Sequence, residues 1–153
     1  MRRGVRVGID VGKVRIGVAR SDPDGMIATP VATVLRGAGD IGEILRIAAE
    51  LEPLEFIVGL PLALSGNHTA STADAVAFAE TLAAAAAAPV RMVDERLSTV
   101  SAQRGLRASG RTVKRSRAVI DQAAAVIILQ HALDFERAGG NTPGTPVVPP
   151  EGL

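Results

Sequence analysis

The 153-residue sequence contains no cysteine, no tryptophan and no tyrosine, and only three phenylalanines. The absence of cysteine excludes thiol nucleophiles, cysteine-based zinc sites and a disulfide scaffold, and it suits a reducing cytoplasm. The scarcity of aromatic side chains removes the platforms on which single-stranded bases usually stack. The sequence also lacks long uninterrupted apolar runs, so it predicts neither a signal peptide nor a membrane span. We therefore expect a cytoplasmic protein with no membrane partner.

The length and the 47% hydrophobic content fit one globular domain with its own core. We assign this domain to residues 1–137. Residues 138–153 are rich in glycine and proline and predict a disordered tail.

Charge is segregated along the chain although the formal net charge is only +1. Residues 1–20 carry six basic side chains against Asp10 alone, and residues 22–60 carry seven acids against two arginines. Residues 91–117 return to eight basic side chains against two acids. The acid-free part of that segment contains Arg104, Arg107, Arg111, Lys114, Arg115 and Arg117. Such a stretch favours a polyanionic partner, and the alternative is a solvated arginine-rich helix face followed by a polar loop.

Hydrophobic periodicity predicts three strands followed by alternating strands and helices. The predicted strands cover residues 5–11, 14–21, 26–35, 56–59 and 90–93. The predicted helices cover residues 40–51, 69–87, 98–107 and 117–137, with Asp40 and Ser116 as caps of the first and last. Together these elements predict an α/β fold with a mixed five-stranded sheet, three antiparallel strands and then parallel ones, flanked by helices.

Three acidic residues stand where apolar or neutral residues are expected. Asp10 interrupts an apolar strand, Glu95 follows the strand at 90–93, and Asp121 shares a helical stripe with small apolar residues. Two of them have ordinary alternatives: Asp10 caps its own hairpin turn, and Glu95 complements a helix dipole. Asp121 lies past the first turn of its helix, where the dipole would favour it less. The glycines around Asp10 do not have Walker A spacing.

If folding gathers the three acids, they form an all-oxygen site without histidine or cysteine. Such donors suit Mg²⁺ or Mn²⁺ and disfavour zinc. Divalent ions in such a site activate water for attack on a phosphodiester.

Four motifs in order resemble the bacterial pre-16S rRNA nuclease family, also called Holliday-junction-resolvase-like. They are Gly8-Ile9-Asp10-Val11-Gly12 with Arg15-Ile16-Gly17-Val18-Ala19, then Val58-Gly59-Leu60-Pro61-Leu62, Asp94-Glu95-Arg96-Leu97-Ser98-Thr99, and Lys114-Arg115 through Asp121-Gln122-Ala123-Ala124. The resemblance implies a ribonuclease H-like fold and a divalent-metal site at Asp10, Glu95 and Asp121. It further implies maturation of the 5′ end of 16S rRNA during ribosome biogenesis in the cytoplasm. Lys13-Val14 departs from the family pattern.

The leading hypothesis is a metal-dependent nuclease acting on structured RNA, as a monomer or a homodimer. Its phosphate contacts are assigned to Lys13, Arg15 and Arg96 together with the acid-free basic stretch. The closest rival is a four-way DNA junction resolvase, which needs a symmetric dimer to cut two strands. A nucleotide-binding protein of the actin and sugar-kinase type needs two such domains. A noncatalytic RNA-binding module is the remaining alternative.

Overall fold

The structure is a computed structural model that describes residues 1–96 and 113–149, the side chains of residues 113–120 excepted. Its strands are β1 (Arg6–Val11), β2 (Arg15–Ser21), β3 (Ala28–Leu35), β4 (Glu55–Leu60), β5 (Val90–Asp94) and β6 (Thr145–Pro146). Its helices are α1 (Asp40–Leu51), α2 (Ala70–Ala85) and α3 (Val113–Gly139). The helix predicted at 98–107 lies outside the described residues.

The strands form one mixed sheet in the order β3-β2-β1-β4-β5-β6. β1, β2 and β3 are antiparallel neighbours, whereas β1, β4 and β5 run parallel to one another. The predicted α/β architecture, with three antiparallel strands preceding the parallel ones, is therefore confirmed. The number of strands differs, because a sixth strand joins the edge of the sheet.

The alternation of side chains in β1 decides which residues face which layer of helices. Val7 and Ile9 are fully buried in a cluster with residues of α1 and α2. Asp10 has the opposite orientation and therefore faces the layer that contains α3. The second cluster lies in that layer and includes Ala125, Ile128 and Leu129 of α3. The predicted inward stripe of the last helix is thus confirmed over its described apolar positions.

The sixth strand comes from the segment predicted to be a disordered tail. β6 pairs antiparallel with β5, and the Val147 amide donates to the carbonyl oxygen of Val90 at 2.8 Å. Arg91 Nε also donates to the Pro143 carbonyl oxygen at 2.6 Å. β5 offers an unpaired edge, and pairing there satisfies backbone groups that composition alone cannot assign. These contacts attach residues 143–147 to the sheet, while residues 150–153 lie outside the described range.

Two predicted caps are wrong in detail. α3 begins at Val113, so Ser116 lies inside the helix. The N-cap of α1 is Gly39, and Asp40 is the first helical residue. Asp40 still stabilises this end, since its Oδ2 accepts a hydrogen bond from the Gly37 amide at 3.1 Å. Among the described residues, no helix is long and apolar enough to cross a membrane.

A buried ionic cluster lies where β1 and β4 begin. Arg2 Nη2 donates to Glu55 Oε1 at 2.7 Å, and Arg6 Nη2 donates to Glu136 Oε2 at 3.0 Å. Arg2 also pairs with Glu136, which joins the two ion pairs into one network. Arg6, Glu55 and Glu136 are each at most 3% exposed. The cluster therefore fastens the last turns of α3 to the start of the sheet.

An open apolar cleft of about 690 Å³ lies between the C-terminal ends of α1 and α2. Leu45, Leu54, Phe56 and several alanines line it, and Glu52 is its one titratable residue. It faces the N-terminal ends of β4 and β5, opposite to the three acids. The cleft is therefore separate from the cluster of the three acids.

Candidate active site

The three predicted acids converge at one end of the sheet. Asp10 is the second-last residue of β1, and Glu95 directly follows β5. β1, β4 and β5 are parallel, so their carboxyl ends meet at the same edge, and Leu60 pairs with Asp94 there. Asp121 lies on α3, which crosses the face of the sheet toward which Asp10 points. This edge is where ligands usually bind in open α/β sheets.

Asp10 and Glu95 are both half-buried, and their carboxyl groups are hydrogen-bonded to each other. Burial, and secondarily the charge of Asp121, raise the pKa of Asp10 from 3.8 to about 6, although a hydrogen bond with Glu95 opposes the rise. Burial, followed by the charges of Asp10 and Asp94, raises the pKa of Glu95 from 4.5 to about 8. Two carboxylates in hydrogen-bonding contact repel each other unless a proton or a cation lies between them.

One oxygen of Glu95 has no hydrogen-bond donor among the described residues. Glu95 Oε2 is buried and receives no hydrogen bond from the part of the chain that the structure describes. It lies against Gly59 of β4, where an added Cβ atom would be 2.1 Å from this oxygen. Glycine at position 59 therefore leaves the space that the carboxylate occupies. An unpartnered buried oxygen is costly, and a bound cation or a water molecule can supply the missing partner.

Asp121 is held by an arginine. Arg15 Nε donates to Asp121 Oδ2 at 3.0 Å, between side chains that are 28% and 18% exposed. Burial raises the pKa of Asp121, and the hydrogen bond from Arg15 opposes this rise. Asp121 also acts on Asp10 through its charge. The acids thus form a series of neighbours, with Asp10 between Glu95 and Asp121.

Within residues 1–96 and 113–149, no three acidic or histidine side chains are already arranged around a common point as a metal-binding group. The donor set nevertheless fits a hard divalent cation, because it consists of carboxylate oxygens and one of them is buried without a partner. Asp121 would join such a site by exchanging its bond with Arg15 for the cation.

The predicted phosphate-binding residues differ in their surroundings: some are bonded to acids, one is exposed, and others lie outside the described residues. Arg15 points to Asp121 rather than to solvent, and Arg96 Nε donates to Asp94 Oδ2 at 2.9 Å. Lys13 lies in the turn between β1 and β2 at the same end of the sheet and is exposed. Arg104, Arg107 and Arg111 lie outside the described residues, as do the side chains of Lys114, Arg115 and Arg117. Their role stays a prediction.

Sequence reasoning missed Arg36, which follows β3. Its Nη1 donates to the Gly12 carbonyl oxygen at 2.9 Å, and its Nη1 and Nη2 donate to Asp74 at 2.9 and 3.0 Å. Arg36 therefore joins the β1–β2 turn, two residues after Asp10, to α2. No local signal in the sequence predicts this contact, because Arg36 and Asp74 are far apart in the chain.

Gly17→Ala is expected to destabilise the fold and disturb the site. Gly17 of β2 pairs with Asp10, and a Cβ atom there would be 1.8 Å from the Asp121 carbonyl oxygen. The obstructing atom is helix backbone, so α3 must shift away from the sheet. Overpacking of this kind costs about 2 to 3 kcal/mol, which urea unfolding would measure.

Gly42→Ala is the matched control for this substitution. Gly42 lies inside α1, and no atom of the residues that the structure describes lies within 4 Å of its added Cβ atom. Alanine there should raise the free energy of unfolding by about 0.5 to 1 kcal/mol. Equal stability of the two variants would contradict the close approach of α3 to β2.

Comparison with solved structures defines the class of the fold. The chain resembles "T. thermophilus RuvC in complex with Holliday junction substrate" with a TM-score of 0.56 and 18% identity, covering 94% of this chain and 99% of that chain. It also resembles a second Thermus thermophilus RuvC structure, with a TM-score of 0.54, 20% identity, and coverage of 93% and 99%. This likeness establishes a RuvC-like fold of the ribonuclease H type.

The particular family follows from the sequence. A family profile described as "RuvX: Holliday junction resolvase" matches residues 4–135, and the chain belongs to this family. The resemblance seen in the four motifs is thereby confirmed.

Named relatives agree with this assignment. A Leifsonia xyli protein called "Putative pre-16S rRNA nuclease" is 64% identical over 151 residues, covering 97% of both chains. Proteins with the same name from Streptomyces coelicolor and Mycobacterium leprae are 54% and 57% identical. They cover 94% and 89% of this chain, and the chain covers 88% and 76% of theirs. The family is thus one of nucleases.

Proposed function

We propose that this chain is a divalent-metal-dependent nuclease that hydrolyses phosphodiesters in structured nucleic acid, with the 5′ end of pre-16S rRNA as its substrate. The observation that carries the proposal is the half-buried, hydrogen-bonded pair of Asp10 and Glu95 beside Asp121, with the buried Glu95 Oε2 lacking any described donor. Folding places three carboxyl groups close together, and the repulsion between their negative charges costs free energy. That cost is explained if the cluster binds a cation.

Each acid has a distinct part in the proposed site. Asp10, Glu95 and Asp121 would hold Mg²⁺ or Mn²⁺, which when bound supplies a Lewis acid that activates water and stabilises the leaving oxygen. Asp10 is supplied by β1, an inner strand of the sheet that is paired on both sides. Glu95 lies at the end of β5, and its carboxyl group is limited by Gly59. Asp121 is a residue of α3.

The surrounding charges suit a polyanionic substrate. Lys13 is exposed at the same edge as the acids, and the basic stretch from 104 to 117 precedes Asp121 in the chain. Arg96 lies directly beside Glu95 and donates to both Asp94 and the Leu64 carbonyl oxygen. It thereby ties the end of β5 to the loop after β4. Because most protein contacts to nucleic acid go to phosphates, these cations would position the backbone near the acids.

Four-way junction DNA is the second candidate substrate. The profile that matches residues 4–135 is described as a Holliday junction resolvase, and one structural neighbour was solved with a junction. The relatives carry the name of an rRNA nuclease, which favours RNA. Paired cuts at a junction need two active sites related by symmetry, so this candidate also requires a dimer.

A direct competition would separate the two candidates. Purified protein is offered a precursor rRNA leader and a four-way junction in one reaction, in Mg²⁺, in Mn²⁺ and in EDTA. We expect faster cleavage of the leader and no cleavage in EDTA. We also expect that junction DNA does not change the number of protein subunits in the particle, as measured by solution mass. Faster cleavage of the junction by a dimer would replace the RNA assignment. Binding of both without any cleavage would leave a noncatalytic module.

A further inference from the structure

Arg15 occupies a position in which it would compete with a metal cation for the carboxylate of Asp121. Within the described residues, it is the one cationic side chain bonded to any of the three acids, through Nε and Asp121 Oδ2 at 3.0 Å. Asp10 and Glu95 have no such partner there. The positive charge that balances the cluster is therefore concentrated at Asp121.

The backbone of Arg15 is fixed while its side chain is free to change partner. Its carbonyl oxygen accepts a hydrogen bond from the Gly12 amide at 3.0 Å, and the residue pairs with Leu35 of β3. The side chain alone spans from β2 to α3 and is 28% exposed. Moving the guanidinium away from Asp121 requires rotation of side-chain bonds only, because no main-chain hydrogen bond of β2 depends on it.

We propose that Arg15 is an exchangeable counter-ion of the active site. It neutralises Asp121 while no divalent cation is bound, competes with the cation for that carboxylate, and on release binds a substrate phosphate. This inference rests on the proposed function and adds an order of events to it, since the cation must bind before Arg15 can reach the substrate.

The chemistry of the guanidinium supports both parts of the exchange. An N–H donor on Asp121 Oδ2 occupies a lone pair that a cation needs, and the two positive charges repel each other at short range. The same planar fork matches two phosphate oxygens. Arg15 is bonded to Asp121, whose charge acts on Asp10, so a phosphate held at the acids would lie near the released guanidinium.

The first test measures Mn²⁺ binding without nucleic acid, by electron paramagnetic resonance of the free ion. Arg15→Gln should bind Mn²⁺ about fivefold more tightly than the unmodified protein, the factor that loss of a partly exposed ion pair corresponds to. Arg15→Lys, which retains the charge, should stay close to the unmodified protein. Arg46→Gln removes an exposed ion pair with Glu43 on α1 and should change nothing.

The second test measures binding of the rRNA leader in EDTA and in Ca²⁺, recorded before any cleavage. In EDTA, Arg15→Gln should bind the leader like the unmodified protein, because Arg15 is then engaged with Asp121. In Ca²⁺, it should bind about fivefold more weakly, since the released guanidinium is missing. A purely structural role for Arg15 would weaken binding equally in both conditions, and that result would overturn the exchange.

The outcomes separate this inference from the proposed function. If the unmodified protein binds Mn²⁺ and Asp10→Asn weakens that binding, the metal site stands. Unchanged or weaker Mn²⁺ binding by Arg15→Gln would then overturn the counter-ion exchange alone. Absence of Mn²⁺ binding by the unmodified protein would overturn the metal site and the exchange together.

Discussion

Asp10→Asn is expected to abolish Mg²⁺-dependent cleavage, with a fall in rate of about a thousandfold or more. The cation supplies several kcal/mol of stabilisation to the transition state, and each 1.4 kcal/mol is worth a factor of ten. Asp10 lies between the other two acids, so its neutral amide removes charge from the centre of the site. Binding of the rRNA leader in EDTA should be retained, because the substitution touches no phosphate contact and Arg15 is engaged with Asp121 in both proteins without a cation. Single-turnover cleavage and fluorescence anisotropy would measure the two quantities.

Asp24→Asn is the matched control for this experiment. Asp24 is an exposed acid between β2 and β3 that pairs with Arg3, away from the carboxyl ends of β1, β4 and β5. Its neutralisation should leave the cleavage rate unchanged. Asp121→Asn should resemble Asp10→Asn in losing cleavage while keeping binding. Full cleavage by either site variant would remove that residue from the metal-binding set.

Glu136→Gln is expected to lower the free energy of unfolding by about 4 kcal/mol, as breaking a buried ion pair typically does. Glu136 is 3% exposed and receives charged donors from both Arg2 and Arg6. An amide removes the negative charge and leaves the buried Arg6 guanidinium without compensation. Urea unfolding at neutral pH would give this value. Asp134→Asn, which breaks an exposed pair with Arg137 on the same helix, should cost less than about 1 kcal/mol.

The same cluster predicts a pH dependence of stability. Hydrogen bonds and charges from Arg2, followed by Arg6, outweigh burial and lower the pKa of Glu136 from 4.5 to about 2. A carboxyl group whose pKa is lower in the folded state stabilises the protein above its unfolded value. That stabilisation is lost as the pH falls from about 4.5 toward 2. Glu136→Gln should therefore unfold with less dependence on pH in this range, and an identical acid transition would contradict the prediction.

Much of the fold is already present in local patterns. The period-two alternation in β1 predicted a strand and set Asp10 apart from Val7 and Ile9, and the structure places it on the opposite face. The stripe along the last helix predicted burial of Ala125 and Ile128, which are at most 1% exposed. These predictions succeeded because a side chain's direction depends on its own backbone geometry.

Features that depend on residues far away in the sequence were predicted poorly. β6 forms because β5 has a free edge, and the composition of residues 138–149 says nothing about that edge. The beginning of α3 at Val113 precedes the apparent cap at Ser116. Arg36 and Gly59 acquire their roles from residues that the chain brings to them from far away.

By itself, the sequence determined the alternation of strands and helices, the separation of charge along the chain, and the three acids that stand out from their surroundings. Only the tertiary structure decided that Asp10 lies between Glu95 and Asp121, that Arg15 pairs with Asp121, and that Glu95 Oε2 is buried without a donor from the described part of the chain. The physical reason is that burial and charge pairing depend on which elements meet at the carboxyl end of the sheet. Periodicity in the sequence predicts the direction of each side chain. The residue that the side chain contacts is decided by the packing of α3 across β1 and β2.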